Sequence, residues 1–324
     1  MLMCFEVILI HFWVGPVNKI LVPFSMMEGL AVPVFMFLSF YFTHNTFLTN
    51  DNQIIKKRIW RVVYPQIGWA VLYWSVFIIL QIKVSLNITI KDLLWQIVTG
   101  HSPQINPSMW FQTILIALTL IYILIFRFVS DKKGILLIIF ITILSLWIQY
   151  SGYNWMLFGT LRYELKYPLG RFFEMIPYAT LGFFVAHFDL FNRLKKNRTL
   201  FVIIFGFMSI ILFKLRIIAP SYPGFGYSFN NHLLHVFFIV GFAYLLPFEI
   251  MSEKIQQIIR FITKYTLGVY CIHRLIAFLL KYLLAFIGLQ VTNFTFCIFI
   301  YIIAFYTSFA MCRISSKIFK PLVE

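Results

Sequence analysis

Long apolar runs broken by short polar punctuation dominate the chain from end to end. A helix needs about 20 mostly apolar residues to cross the hydrocarbon layer of a bilayer. By that measure ten spans fall near residues 1–15, 29–46, 62–82, 109–128, 135–150, 171–189, 200–213, 232–249, 266–286 and 293–312. Clusters of Gly, Pro and Asn separate them, as at Asn106-Pro107 and over residues 220–226. The pattern predicts an all-α fold, a polytopic transmembrane helical bundle forming a single domain over residues 1–324. The first run is short and opens at Met1-Leu2-Met3-Cys4-Phe5 without the basic flank or cleavage site of a signal peptide. The native first helix is therefore expected to begin upstream of Met1, or else to be anchored by partners.

Composition agrees with this division. The chain is 61% hydrophobic and 20% aromatic, with 12% charged residues, against about a quarter charged in ordinary soluble domains. A net charge of +16 would suggest nucleic acid in a soluble protein. Here the cations collect at the ends of apolar runs, so topology explains them and no nucleic-acid partner is expected. Lys and Arg favour cytoplasmic loops. Placing Lys56, Lys57, Arg58 and Arg61 inside also puts Arg127, Lys132, Lys133, Arg193, Lys195, Lys196 and Arg198 there. Lys254, Arg260, Lys264, Arg313, Lys317 and Lys320 follow, most of the 27 cations in all. Both termini are then expected in the cytoplasm. Cys4, Cys271, Cys297 and Cys312 lie in or beside apolar segments without paired spacing, and read as small buried hydrophobes.

Against this apolar background a few polar residues invite chemistry. His11 stands inside Ile8-Leu9-Ile10-His11-Phe12-Trp13. Ionisable groups at membrane depth are costly and face the bundle interior or a water-filled cavity. An imidazole there is suited to taking a proton from a hydroxyl and returning it; an interhelical hydrogen bond is the plainer alternative. Glu6, five residues earlier, lies roughly 140° round a helix from His11 and forms no dyad with it. Arg58 and Arg61, three apart, are predicted to share a helix face, with Lys56 and Lys57 adding point charge. Such a cluster fits a cytoplasmic polyphosphate anion such as a coenzyme A derivative, or equally anchors the helix at anionic lipid headgroups. His273 and Arg274 sit together in an apolar run, as a cavity wall or a snorkelling pair. The charged and aromatic stretch 151–171, and Trp110 with it, reads as an interfacial aromatic belt. No metal-ligand set is found; His232 and His235 lack a third ligand nearby.

Taken in order, these pieces resemble the bacterial integral-membrane acyltransferase-3 family. The run ending in His11-Phe12 is similar to that family's opening helix and its essential histidine. Val32-Pro33-Val34-Phe35-Met36-Phe37-Leu38-Ser39 resembles its phenylalanine-rich second helix. Lys57-Arg58-Ile59-Trp60-Arg61 with Tyr64-Pro65 resembles the Arg-x-x-Arg and following proline of its third. Met109-Trp110-Phe111 is similar to its Leu-Trp-Phe, and Thr266-Leu267-Gly268-Val269-Tyr270-Cys271-Ile272-His273 to its late Ser-x-Gly-x-Tyr-x-x-His. Two departures stand out. The family's arginine eleven residues before the histidine would fall just before Met1, and Ser39 is followed by Phe40 where the family has glycine.

The resemblance implies an O-acyltransferase of the bacterial cell membrane that acylates an envelope glycan or lipid-linked saccharide. The acyl group, acetyl first among candidates, comes from acyl-CoA, which is a donor substrate; no resident cofactor or metal is implied. His11 would be the catalytic base, Arg58, Arg61 and Lys57 the donor-binding cations, and Tyr270, His273 and Trp110 the lining of a shared cavity. A transporter or flippase of a glycan or lipid intermediate shares the basic collar and the intramembrane histidines, and is the alternative.

Overall fold

Where water cannot reach the backbone, a helix satisfies its own peptide groups. The computed structural model describes residues 30–84, 88–101, 109–150, 163–218, 232–288 and 294–315, which are helices joined by turns. In chain order these are α1 (Ala31–Leu48), α2 (Asn52–Val84), α3 (Ile90–Thr99), α4 (Trp110–Phe128), α5 (Asp131–Tyr150), α6 (Tyr163–His187) and the short α7 (Leu190–Leu194). They continue as α8 (Arg198–Ile218), α9 (Leu233–Leu245), α10 (Glu253–Lys264), α11 (Thr266–Phe286) and α12 (Phe294–Ser315). Helices α1, α2, α4, α5, α6, α8, α9, α11 and α12 occupy the segments expected for the second to tenth spans. The first lies outside the described residues. Judged by length and apolar composition alone, the described segments able to cross a membrane are Ala31–Leu48, Asn52–Ile79, Trp110–Phe128, Leu190–Lys214 and Thr266–Phe286, with Leu233–Leu245 a shorter apolar helix.

Local chemistry moves several boundaries from their expected places. Helix α2 starts at Asn52, well before residue 62, because Asp51 caps it: its Oδ1 accepts from the Gln53 N–H at 2.7 Å. The basic cluster is thus helical. Helix α9 stops at Leu245 because Leu246 precedes Pro247 and leaves the helical region at ψ 134°. Helix α3 falls in a stretch expected to be loop. It opens on a capping box in which Thr89 and Asp92 exchange hydrogen bonds. It closes on Gly100 in the left-handed conformation, whose N–H reaches the Gln96 carbonyl at 2.8 Å.

Helices α1, α4 and α6 run in the same direction and share an aromatic seam. Phe40 packs edge-on against Tyr122 at 4.7 Å between ring centroids and lies 5.1 Å from Phe47; Phe183 stacks on Phe126 at 5.2 Å. Phe40, the departure from the family glycine, is therefore a fully buried core residue. Hydroxyls add cross-links in this apolar layer: Thr180 of α6 bonds Tyr122 of α4 at 2.8 Å and Thr142 of α5 at 2.7 Å. Beyond the seam, Phe191 lies against Phe37, Phe237 and Tyr244, and so carries the packing on to α9. The ends of α4 and α9 and the starts of α2 and α8 gather at one end of the bundle. Arg127 donates to Asn52 at 3.2 Å, Arg198 to the Leu245 carbonyl, and Tyr244 to Asn192 at 2.7 Å. The cations flanking these positions thereby share that end.

Helices α1 and α6 approach closely at Gly182. A Cβ there would lie 3.0 Å or less from three main-chain atoms of Phe37, and main chain cannot swing aside. Gly170 on the same helix has nothing within 4 Å of such a Cβ. Gly182→Ala should therefore destabilise the bundle by about 1–3 kcal/mol, as overpacking does, whereas Gly170→Ala should be neutral or slightly stabilising. Thermal unfolding of the two variants in lipid nanodiscs checks this; equal midpoints would contradict the close approach.

Candidate active site

Along α2 the residues Ile55, Arg58, Val62, Gln66, Trp69, Tyr73 and Phe77 recur every three or four positions and form its inward stripe. All but Arg58 are buried. Arg58 is half-buried, yet its Nε and Nη2 are enclosed and have no hydrogen-bond partner among the described residues. Lys56, Lys57 and Arg61 are exposed. Arg58 and Arg61 are neighbours on α2, within electrostatic reach of one another, but only Arg58 turns inward. Three residues turn the helix through about 300°, and the 60° that remains separates the inner stripe from its outer edge. One guanidinium of the cluster points into the bundle, and the other cations surround its approach. Pro65, buried in the same helix, has no N–H to offer the Arg61 carbonyl.

Roughly 22 Å further along the axis, at 1.5 Å per residue, α2 meets α11. The Tyr73 hydroxyl donates to the Cys271 carbonyl at 2.7 Å and accepts from the Leu275 N–H at 3.0 Å. From α4, the Gln112 side chain donates to Cys271 Sγ at 2.9 Å. The Tyr270 ring stands edge-on to Phe35 of α1 at 6.2 Å and to Phe111 of α4 at 5.9 Å. His273, fully buried, holds its Nδ1 2.6 Å from the Tyr270 carbonyl.

Trp110, expected in an interfacial belt, is instead 6% exposed and inside the bundle. The Arg171 guanidinium of α6 lies over its ring at 5.6 Å, and Arg171 pairs with Glu174 at 2.7 Å. Desolvation explains the correction: Trp110 begins α4 beside α6, so its ring covers a cation and not lipid. The structure thus brings Tyr270 and His273 to the zone where α1, α2, α4 and α11 meet, while Trp110 faces α6 at the start of α4. It puts Arg58 towards the cation-rich end. His11 lies outside the described residues.

Sequence reasoning passed over Tyr73, Gln66, Gln96 and Gln112. The signal was available in α2 and α4, where a polar residue interrupts an apolar stripe at helical spacing. Gln66 is such a residue: its amide donates to the carbonyls of Gln96 and Ile97, each at 3.2 Å, and to Thr113 Oγ1 at 3.0 Å. Cys271 and Cys312 are buried, as expected of small apolar residues. Among the described residues no three His, Cys, Asp or Glu side chains gather as a metal site.

The basic stripe, the aromatic second helix and the late Tyr270–His273 segment fall in one continuous match. A family described as an acyltransferase domain covers residues 1–313. The chain belongs to the acyltransferase-3 family. No curated protein and no solved structure shows significant similarity to it. In this acyltransferase the match spans the Arg58 turn of α2, the first turn of α4 and the first two turns of α11. The hydrogen bonds of Tyr73 and Gln112 join these three elements.

Tyr73→Phe keeps the ring and removes both bonds, leaving the Leu275 N–H without its acceptor in a fully buried place. A loss of about 1–3 kcal/mol is expected. It is read as a lowered unfolding midpoint in nanodiscs, with Tyr64→Phe on the exposed face of α2 as the unchanged control.

Proposed function

We propose that the protein is an O-acyltransferase moving an acyl group, acetyl in the simplest case, from acyl-CoA to a hydroxyl of an envelope glycan or lipid-linked saccharide. The observation that carries this reading is the inward guanidinium of Arg58, enclosed without a partner among the described residues, in a chain of acyltransferase family. A buried cationic fork without a counter-charge is costly to maintain and is matched in geometry by phosphate oxygens. Lys57 and Arg61, exposed on either side, attract the same anion. The cation-rich end is then the cytoplasmic face of a bacterial cell membrane, with both termini on that side.

In the reaction, the donor phosphates are held at Arg58 and the thioester arm extends into the bundle. His11 takes the proton from the acceptor hydroxyl as its oxygen attacks the thioester carbonyl. The new C–O bond forms, the C–S bond breaks, and the imidazolium returns its proton to the departing thiolate. The products are the O-acyl ester and free coenzyme A. Trp110, Tyr270 and His273 line the path between donor and acceptor. A transporter of the same intermediates has no need of a base or of this family's transfer chemistry, and is the weaker reading.

Loss of the base should lower transfer about 10²–10⁴-fold in His11→Ala. Arg58→Ala should lower it roughly 10-fold or more, the worth of a charged hydrogen bond. Arg58→Lys should recover little, since an ammonium cannot form the fork. Ester-linked acyl groups released from the envelope of expressing cells by mild alkali, and counted by mass spectrometry, provide the measurement. Undiminished acylation by well-expressed His11→Ala or Arg58→Ala protein would sink the proposal.

A further inference from the structure

Between the end of α9 and the start of α11 the chain makes α10, which is too short to span a bilayer. Its 12 residues reach about 18 Å at 1.5 Å per residue, against about 30 Å of hydrocarbon. At about 100° per residue, Ile255, Ile258 and Ile259 fall within one sector of roughly 100°. Gln257, Arg260 and Lys264 fall on the opposite side, and Lys254 and Phe261 share a flank between the two. The isoleucine face is not covered by the bundle. Ile255 is 48% exposed and Ile258 49%, and Ile259 is half-buried. An apolar face of this kind in water is unfavourable.

The neighbours of α10 fix where it sits. Arg260 lies over the Phe248 ring at 6.0 Å, and Glu249 next to that ring pairs with Arg198, the first residue of α8. On the flank, Phe261 meets Phe309 of α12 edge-on at 5.2 Å, and Arg313 of α12 lies over the Phe261 ring at 5.3 Å. Phe309 precedes Ser315, the last residue of α12, by about 9 Å of helix axis. Helix α10 therefore lies beside the last turns of α12, at the end of the bundle where α8 and α11 start and α9 stops. That is the depth at which hydrocarbon gives way to headgroups.

We infer that α10 is an interfacial helix that seats its isoleucine face in the bilayer and binds anionic lipid headgroups through Lys254, Arg260 and Lys264. Charge selects the lipid class. The three cations stand against one carboxylate on this helix, Glu253, and Arg313 adds a further cation beside Phe261. A basic amphipathic helix of this pattern partitions into anionic surfaces, each Lys or Arg adding attraction. A zwitterionic surface carries no net charge to meet them. Tyr265 alone separates α10 from α11, so the lipid holds the entry of the helix that carries Tyr270 and His273. The inference is independent of the acyltransferase reading.

The test uses the full-length protein, one copy per lipid nanodisc, with backbone hydrogen exchange read by mass spectrometry. Discs of phosphatidylcholine alone are compared with discs that also contain phosphatidylglycerol. Residues 253–264 should exchange about ten-fold or more slowly in the anionic discs, since each cation gains near such a surface. Salt at about 1 M should erase the difference. The combined variant Lys254→Gln, Arg260→Gln, Lys264→Gln should lose the lipid dependence. The pair Ile255→Asn, Ile258→Asn should exchange fast in both discs. Residues 266–286 report on the fold and should exchange as in wild type throughout. Equal exchange of wild-type α10 in the two discs, or a lipid dependence that survives loss of the three cations, would overturn the inference. So would protection that appears only with two copies per disc, which would assign the face to a second copy of this chain.

Discussion

Polar groups enclosed by an apolar bundle must find partners inside it, and this requirement fixes how the helices of this protein meet. Thr180 ties α6 to both α4 and α5 through hydroxyls at 2.7–2.8 Å. Tyr73 joins α2 to α11 by donating to one backbone group and accepting from another. Apolar packing alone would let such helices slide, since lipid tails are as apolar as Leu. A hydroxyl that reaches one carbonyl on the neighbouring helix sets depth and rotation together. The aromatic seam and the close approach at Gly182 then complete a packing whose register these bonds have already set.

Against that rule the exceptions become informative. The Arg58 guanidinium and the side chains of Gln66, Gln96 and Gln112 are enclosed, yet part of their bonding capacity is unused among the described residues. They differ in character: one is a cation near the basic end, the others are neutral amides. Helix α2 carries a residue of each, with Gln66 two turns beyond Arg58 on the same stripe.

Most of the helices were legible because apolar runs of spanning length are hard to mistake. What was missed has identifiable causes. Helix α3 is too short for a hydropathy argument, although its Thr89–Asp92 capping box and Gly100 were there to be read. Helix α10 was taken for a cationic loop because Lys254, Arg260 and Lys264 masked the i, i+3, i+4 spacing of Ile255, Ile258 and Ile259. Arg58 and Arg61 read alike in the sequence, and only three-dimensional packing distinguishes the half-buried one from the exposed one. Trp110 was misjudged because composition cannot tell a tryptophan facing headgroups from one that covers Arg171. The buried glutamines gave too weak a signal in isolation, since their meaning arises from three helices meeting.

The central claim is that an acyl donor enters at the cation-rich end and an acceptor waits towards the other. Sidedness tests it most directly. Sealed membrane vesicles of known orientation, inside-out or right-side-out, are given acetyl-CoA labelled in the acetyl group, and label in ester linkage to envelope saccharide is counted. Incorporation only where the helix ends bearing Lys56–Arg61 and Arg193–Arg198 face the added donor is the predicted result. Incorporation solely from the opposite face, or from neither, would contradict it.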